Sequence, residues 1–332
     1  EWHIMTLQWN SKEHIKIKIN EDPEFVQYIG QTTVAGALQE LVIGSEQLLS
    51  GNGQIYLASV VIWDRVLGES EQVDVRAALA NLYGIRCTVK LKPTADANKY
   101  CNIYIPEYVP YVRPRKFIVW CHGVGDNRSN PMLIPSFRPA AQALLNDGWL
   151  IACSDLYSNN SWGCSTATTE LSSVVSHLTS NYQCDTNKFI MIAHSMGNTN
   201  MINYIRHESV KPKGVICAGN GVHNIDWAYD FNSSWTPAIN TAYGVSAKAS
   251  IPSNRKPEAS LNSDYLTAIR MRFSVSSGDT VVLKANNYDI FQPIVNAGGR
   301  DVSSFITSGV NHGDATLYDP TRFVTWANEL IA

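Results

Sequence analysis

No apolar run in this chain approaches the roughly 20 residues that a membrane-spanning helix requires. No stretch has the charged start, apolar middle and small-residue cleavage site of a secretory leader. A basic tract is missing too, and the net charge is −3, so neither nucleic acid nor an anionic membrane surface finds an electrostatic footprint. There is no Cys-x-x-Cys and no paired Cys/His spacing, which excludes the common zinc modules. Internal repeats and low-complexity tracts are absent. Charged residues are sparse at 17%, against 45% hydrophobic in 332 residues. That balance describes a globular chain with ample core for one large or two modest domains. The chain begins at Glu1 rather than Met, which points to sequence removed upstream.

The seven cysteines are an odd number. Cys121, Cys153 and Cys217 fall at the ends of predicted core strands, where a free thiol serves as a small apolar residue. Cys164 and Cys184 bracket a predicted helix whose length keeps them too far apart to bridge. Cys87 and Cys101, on neighbouring strands, are the one pair left to consider, and their register looks poor. The cysteines leave the compartment open.

Residues 2–9, 14–20, 40–43 and 54–64 read as strands separated by Gly, Ser, Asn and Pro turns, followed by a short helix from 68 to about 83. From residue 85 the pattern changes. Strands are expected at 85–91, 101–105, 117–121, 150–154, 188–193, 214–218, 272–276 and 302–306. Helices are expected at 139–146, 165–178, to about 206 after residue 197, to about 269, near 286–295 and from 320. Short apolar strands alternating with helices predict an α/β fold with a mostly parallel sheet covered on both faces. Ligand sites in such sheets lie at the carboxyl ends of the strands. Residues 219–262 read as a long polar excursion rather than an apolar cap.

The strand at 188–193 runs into Ala193-His194-Ser195-Met196-Gly197 and then a helix. A serine on such a sharp strand-to-helix turn stands clear of the sheet, and small residues are needed two before and two after it. Ala193 and Gly197 meet that need, although Ala stands where Gly is usual. A nucleophilic serine requires a base, an acid and donors for an oxyanion. Among eight histidines, His312 lies in the loop after the last strand, where the sheet order would deliver it to Ser195; His194 is expected to point away. Asp279, one turn beyond the strand at 272–276, is the expected acid. Asp226 is its rival, and Asp314 is too close to His312 along the chain. The loop His122-Gly123-Val124-Gly125-Asp126 follows the strand at 117–121. Its glycines let backbone approach a substrate carbonyl. The expected donors are the N–H groups of Met196 and Val124, with Gly123 next. His122, Tyr157, Trp162, His223 and Trp227, with Asn159, Asn160 and Asn220, are candidates for the walls of a substrate pocket.

Together Ser195, Asp279, His312 and the glycine-rich loop resemble the α/β-hydrolase family over residues 85–332. The resemblance implies a serine carboxylic ester hydrolase with no metal and no organic cofactor. The segments VWCHGVGDN, SDLYSNNSWG and AHSMGN resemble a variant associated with secreted and bacteriophage tail esterases, which implies an extracellular or virion-associated setting. Residues 1–84 resemble the later part of a laminin-G or concanavalin-like jelly roll, through EWHIMTLQWNSKEHIKIKIN and GNGQIYLASVVIWDRVLGESEQ. That all-β, lectin-like segment tilts the expected substrate towards esters of glycans or envelope polymers, such as O-acetyl groups. Because the resemblance starts mid-domain, it also implies a missing upstream half or a second copy of the chain. A non-catalytic adhesion module on a hydrolase scaffold is the alternative, and peptidase action stays open.

Overall fold

The computed structural model describes residues 5–10, 14–19, 87–90, 100–106, 114–259, 266, 269–297 and 301–332. The chain divides into two compact units, Glu1–Leu79 and Ala80–Ala332. In the first, β1 (Met5–Asn10) pairs antiparallel with β2 (His14–Ile19), so that Met5, Leu7 and Trp9 lie opposite Ile19, Ile17 and Ile15. The strands expected at 40–43 and 54–64 and the helix expected to end near 83 lie outside the described residues.

The second unit is built on an eight-stranded sheet of order β10-β9-β8-β7-β5-β6-β4-β3. Its strands are β3 (Cys87–Lys90), β4 (Tyr100–Tyr104), β5 (Arg115–Cys121), β6 (Leu150–Ser154), β7 (Cys184–His194), β8 (Gly214–Ala218), β9 (Arg270–Ser276) and β10 (Val302–Thr307). The β3–β4 and β4–β6 pairs are antiparallel; the remaining pairs are parallel. This mostly parallel sheet with flanking helices is the α/β-hydrolase architecture.

The strands read as unbroken apolar runs because both faces are covered. Every residue of β6 and β8 is buried, as is β5 from Phe117 onward. On one face Ile118, Trp120, Ile190, Ile192 and Ile216 pack against Leu144 of the helix Arg138–Asn146 and Phe323 and Leu330 of the helix Pro320–Ile331. Alternate residues turn to the other face, where Phe117 stacks on Phe189 at 4.6 Å and Tyr204 of the helix Gly197–His207 meets Phe189 edge-on.

Register places the site. The chain leaves β5 on one side for β6 and returns across it to β7, so the strand order reverses at β5. A crevice opens at the carboxyl ends of strands where such a reversal occurs. Cys121 pairs with Ala193, His194 with Ala218, and Ala218 with Ser274. The loops after β5, β7, β8 and β9 therefore leave the sheet side by side.

The poor register expected of Cys87 and Cys101 is what the sheet has: Cys87 lies opposite Ile103 and Cys101 opposite Val89, and Cys101 is a free, buried thiol. The excursion after β8 is not irregular: it contains the helices Ile225–Phe231 and Trp235–Tyr243. Their apolar residues were hidden among Asn, Ser and Thr, which cap and connect the helices rather than break them. Asn224 caps the first, its side chain accepting from the Trp227 N–H at 2.9 Å.

Candidate active site

β7 ends in a sharp turn. Ser195 has φ +52°, the left-handed region that a residue with a Cβ enters at a cost of about 1–3 kcal/mol. The turn is braced from several directions. The carbonyl of Ser195 accepts from the N–H of Val222 at 3.0 Å and of Asn198 at 3.1 Å. The Asn198 side chain donates to the carbonyls of Ser195 at 3.1 Å and Ala193 at 3.3 Å. Asn198 is the residue that sequence reasoning passed over. Its signal was the final letter of AHSMGN: a buried Asn one position into a helix usually has backbone to satisfy.

The small-residue requirement is visible as distance. A Cβ on Gly197 would lie 2.2 Å from the carbonyl oxygen of Cys121, and one on Gly123 would lie 2.9 Å from the His194 ring and 3.3 Å from the Ser195 Cβ. Gly123 therefore lies directly against the serine. Among the described residues, no acceptor takes the N–H of Met196 or of Val124, whereas the Gly125 N–H donates to the carbonyl of Asn159 at 2.9 Å. The Gly123 N–H likewise has no backbone acceptor among the described residues, so the glycine-rich loop carries two such donors, and the residue before the helix Gly197–His207 carries a third.

The loops after β9 and β10 meet one another. Asp279 is buried, and its two oxygens are divided. Oδ1 accepts from the N–H groups of Val281 at 2.8 Å and Val282 at 3.0 Å. Oδ2 lies 2.6 Å from Nδ1 of His312. A carboxylate can only accept, so Nδ1 donates, which in a neutral imidazole leaves the lone pair on Nε2. Asn220, itself left-handed at φ +47°, clamps the same loop. Its amide donates to the carbonyls of Ser276 at 2.8 Å and Val282 at 2.9 Å, and its oxygen accepts from the Ser276 N–H at 2.6 Å. The Ser276 hydroxyl donates to the carbonyl of Val310 at 2.7 Å, tying in the loop that carries His312. The rival acid is engaged elsewhere: Asp226 pairs with Lys256 at 2.7 Å. Asp314 caps its own 3-10 turn, accepting from the Thr316 N–H at 2.8 Å.

The wall residues divide. Tyr157 is exposed and left-handed at φ +69°. Trp227 is half-buried and stacks on Phe231 at 4.5 Å. Trp162 is fully buried: its N–H reaches the Met196 sulfur at 3.4 Å and its carbonyl accepts from the Tyr243 hydroxyl at 2.6 Å. It joins Met196, Val222, Trp235 and Val282, with Val124 packed alongside, in an apolar cluster over the serine turn. His122 is buried, its Nδ1 donating to the carbonyl of Gly123 at 2.8 Å, and burial lowers its pKa. His223 belongs to the core rather than to a pocket wall. Its ring lies flat on Phe291 at 4.5 Å, neither nitrogen has a hydrogen-bond partner among the described residues, and burial pushes its pKa down to about 3. Asp126, half-buried at the end of the glycine-rich loop, is raised by burial against the opposing pull of His122 and His312. Among the described residues, no group of three His, Cys, Asp or Glu is placed to hold a metal ion.

No protein-family model and no curated protein matches the sequence. Solved structures do match in fold. The serine hydrolase FphF of Staphylococcus aureus, described as fluorophosphonate-binding, superposes with a TM-score of 0.60 at 12% identity, over 74% of this chain and 99% of its own. A puromycin-hydrolyzing peptidase of Mycobacterium tuberculosis gives 0.58 at 13% identity, over 74% of this chain and 38% of the larger protein. The esterase Est2 of Thermogutta terrifontis gives 0.53 at 16% identity, over 74% and 92%.

Two substitutions check this geometry. Gly197→Ala should cost about 3 kcal/mol through overpacking, lowering the melting temperature by roughly 6–12 °C. A melt within about 2 °C of the parent would show that the helix can move off the Cys121 carbonyl. His223→Phe should melt no lower than the parent, since it removes two unsatisfied buried nitrogens and keeps a flat ring on Phe291. Calorimetry tests this, and any ester hydrolysis should remain within about twofold.

Proposed function

We propose that the chain is a serine ester hydrolase, with Ser195 as nucleophile, His312 as base and Asp279 as the group that orients it. The observation that carries this reading is the His312–Asp279 hydrogen bond, held by two interlocked loops, with the His312 ring packed on the residue that precedes a left-handed serine. Ser195 attacks the ester carbonyl and His312 Nε2 takes its proton, then returns it to the leaving alcohol. Asp279 stabilises the imidazolium, and the two hydrogen bonds that its Oδ1 accepts from Val281 and Val282 keep it from rotating. The N–H groups of Met196 and Val124 stabilise the oxyanion. Water repeats the cycle on the acyl-enzyme. The fold shared with a fluorophosphonate-binding hydrolase and an esterase supports the class of reaction.

For the substrate we propose esters on glycans or envelope polymers, such as O-acetyl groups, handled outside the cell or on a virion. Support comes from the lectin-like resemblance of residues 1–84. Full-length protein should hydrolyse short-chain esters and acetylated polysaccharide faster than long-chain esters or peptide amides in a side-by-side panel. Preference for long acyl chains or for amides would overturn the substrate reading and leave the nucleophile in place.

The nucleophile has its own test. Ser195→Ala should lower hydrolysis of a small activated ester by at least about a thousandfold and abolish fluorophosphonate labelling, with the melting temperature unchanged. Activity within tenfold of the parent would reject the assignment. Asp279→Asn should reduce turnover by orders of magnitude, because an amide favours the wrong tautomer of His312. Asp226→Asn should do little, and the reverse ranking would move the acid to the loop after β8.

A further inference from the structure

His194 was expected to point away from the serine; the structure gives its ring a specific set of neighbours. Its ring lies against the ring of His312, with centroids 4.8 Å apart and planes tilted by 36°. On its other sides it meets Phe137 at 4.8 Å and shares a hydrogen bond between Nδ1 and the Tyr318 hydroxyl. Phe137 and Tyr318 in turn pack on each other at 4.2 Å, so the support is a closed group of three rings. Glycines admit it: a Cβ on Gly219 would lie 2.8 Å from His194 Nδ1 and 2.3 Å from the Tyr318 oxygen, and one on Gly123 would meet His194 Cδ2. His194 is also the last residue of β7, bonded through the chain to Ser195.

The structure assigns His194 as a positioning residue for His312, a tilted ring-to-ring contact that limits how far the base can tip relative to the serine next to it. The inference rests on the proposed triad. Asp279 holds one edge of the imidazole, at Nδ1, and a single hydrogen bond leaves the ring free to rock about it. Contact between the rings limits that freedom, and because His194 and the nucleophile are consecutive residues, movement of one carries the other. Displacing a catalytic group by about 1 Å can reduce rate a hundredfold, so even a modest rocking motion is felt in turnover. His194 is also electrically quiet. Burial and the neighbouring His312 hold the pKa of His194 well below the ordinary histidine range. It therefore stays neutral while His312 accepts a proton, and puts no like charge against the imidazolium.

The test compares His194→Ala with His194→Phe in the full-length protein, using a small activated ester and the downfield proton resonance of the His312–Asp279 hydrogen bond. His194→Ala should lower kcat at least about tenfold with KM within about threefold, and should broaden the resonance through faster exchange with water. His194→Phe, which restores a flat ring without the nitrogen, should bring kcat to within about threefold of the parent and sharpen the resonance again. If the Ala variant does not fold, His194→Leu, which fills the space without a flat face, takes its place and is read the same way. An unchanged resonance, a kcat within twofold of the parent, or a Phe variant as impaired as the Ala variant would each overturn the assignment. Should the unsubstituted protein neither hydrolyse esters nor react with fluorophosphonate, the proposed function fails, and the resonance alone still decides whether His194 holds His312.

Discussion

The site turns on a tight crossing at Gly197, where the helix after β7 leaves no room for a side chain against the Cys121 carbonyl at the end of β5. Much else follows from that crossing. A strand that turns so sharply into a helix forces its corner residue into the left-handed region, and Ser195 is that residue. The same crossing brings the loop after β5 against the serine, so that Gly123 also has to lack a side chain. Strain of this kind persists only where surrounding contacts over-determine it. Here Asn198 and Val222 supply those contacts from the helix and from the loop after β8.

Around this corner the structure is dry. His122, His194 and His223 are all buried and all held below the ordinary histidine range. Imidazoles in such places behave as polar aromatic rings, filling space between strand ends, and they leave His312 as the histidine in a half-open position at the carboxyl edge of the sheet. Met196 next to the serine is buried in the apolar cluster of Trp162, Val222 and Trp235. Hydrogen bonds aimed into so poorly solvated a corner act with less competition from water than the same groups would meet at the surface.

The parts that could be read from sequence are those with a local signature. Continuous apolar runs gave β6 and β8 to the residue, because strands buried on both faces tolerate little else. The meeting of His312 with Asp279 was legible because their loops follow the adjacent parallel strands β10 and β9. What escaped was non-local. The roles of Asn198 and Asn220 depend on which carbonyls arrive beside them from other loops. The helices at Ile225–Phe231 and Trp235–Tyr243 were concealed by capping residues that also occur in coil. His223 was misplaced for a related reason: it follows a strand, as a pocket residue would, yet its ring turns back onto Phe291. A histidine's position along the chain does not reveal which way the ring faces.

The cysteines of the sheet carry a consequence for how the protein opens. Cys101, Cys121, Cys153, Cys184 and Cys217 lie on β4, β5, β6, β7 and β8, five adjacent strands with one buried thiol apiece. Burial raises all five, Cys184 to about 12 and the others further. Since only the thiolate reacts, alkylating reagents are blind to them while the strands stay together. Each sulfur is then a clock for its own strand. The pace of alkylation, resolved by mass spectrometry, counts how often that part of the sheet is exposed, as amide exchange does for backbone. Read across the five positions, it would separate fraying from one edge from a single cooperative opening, without any substitution in the chain.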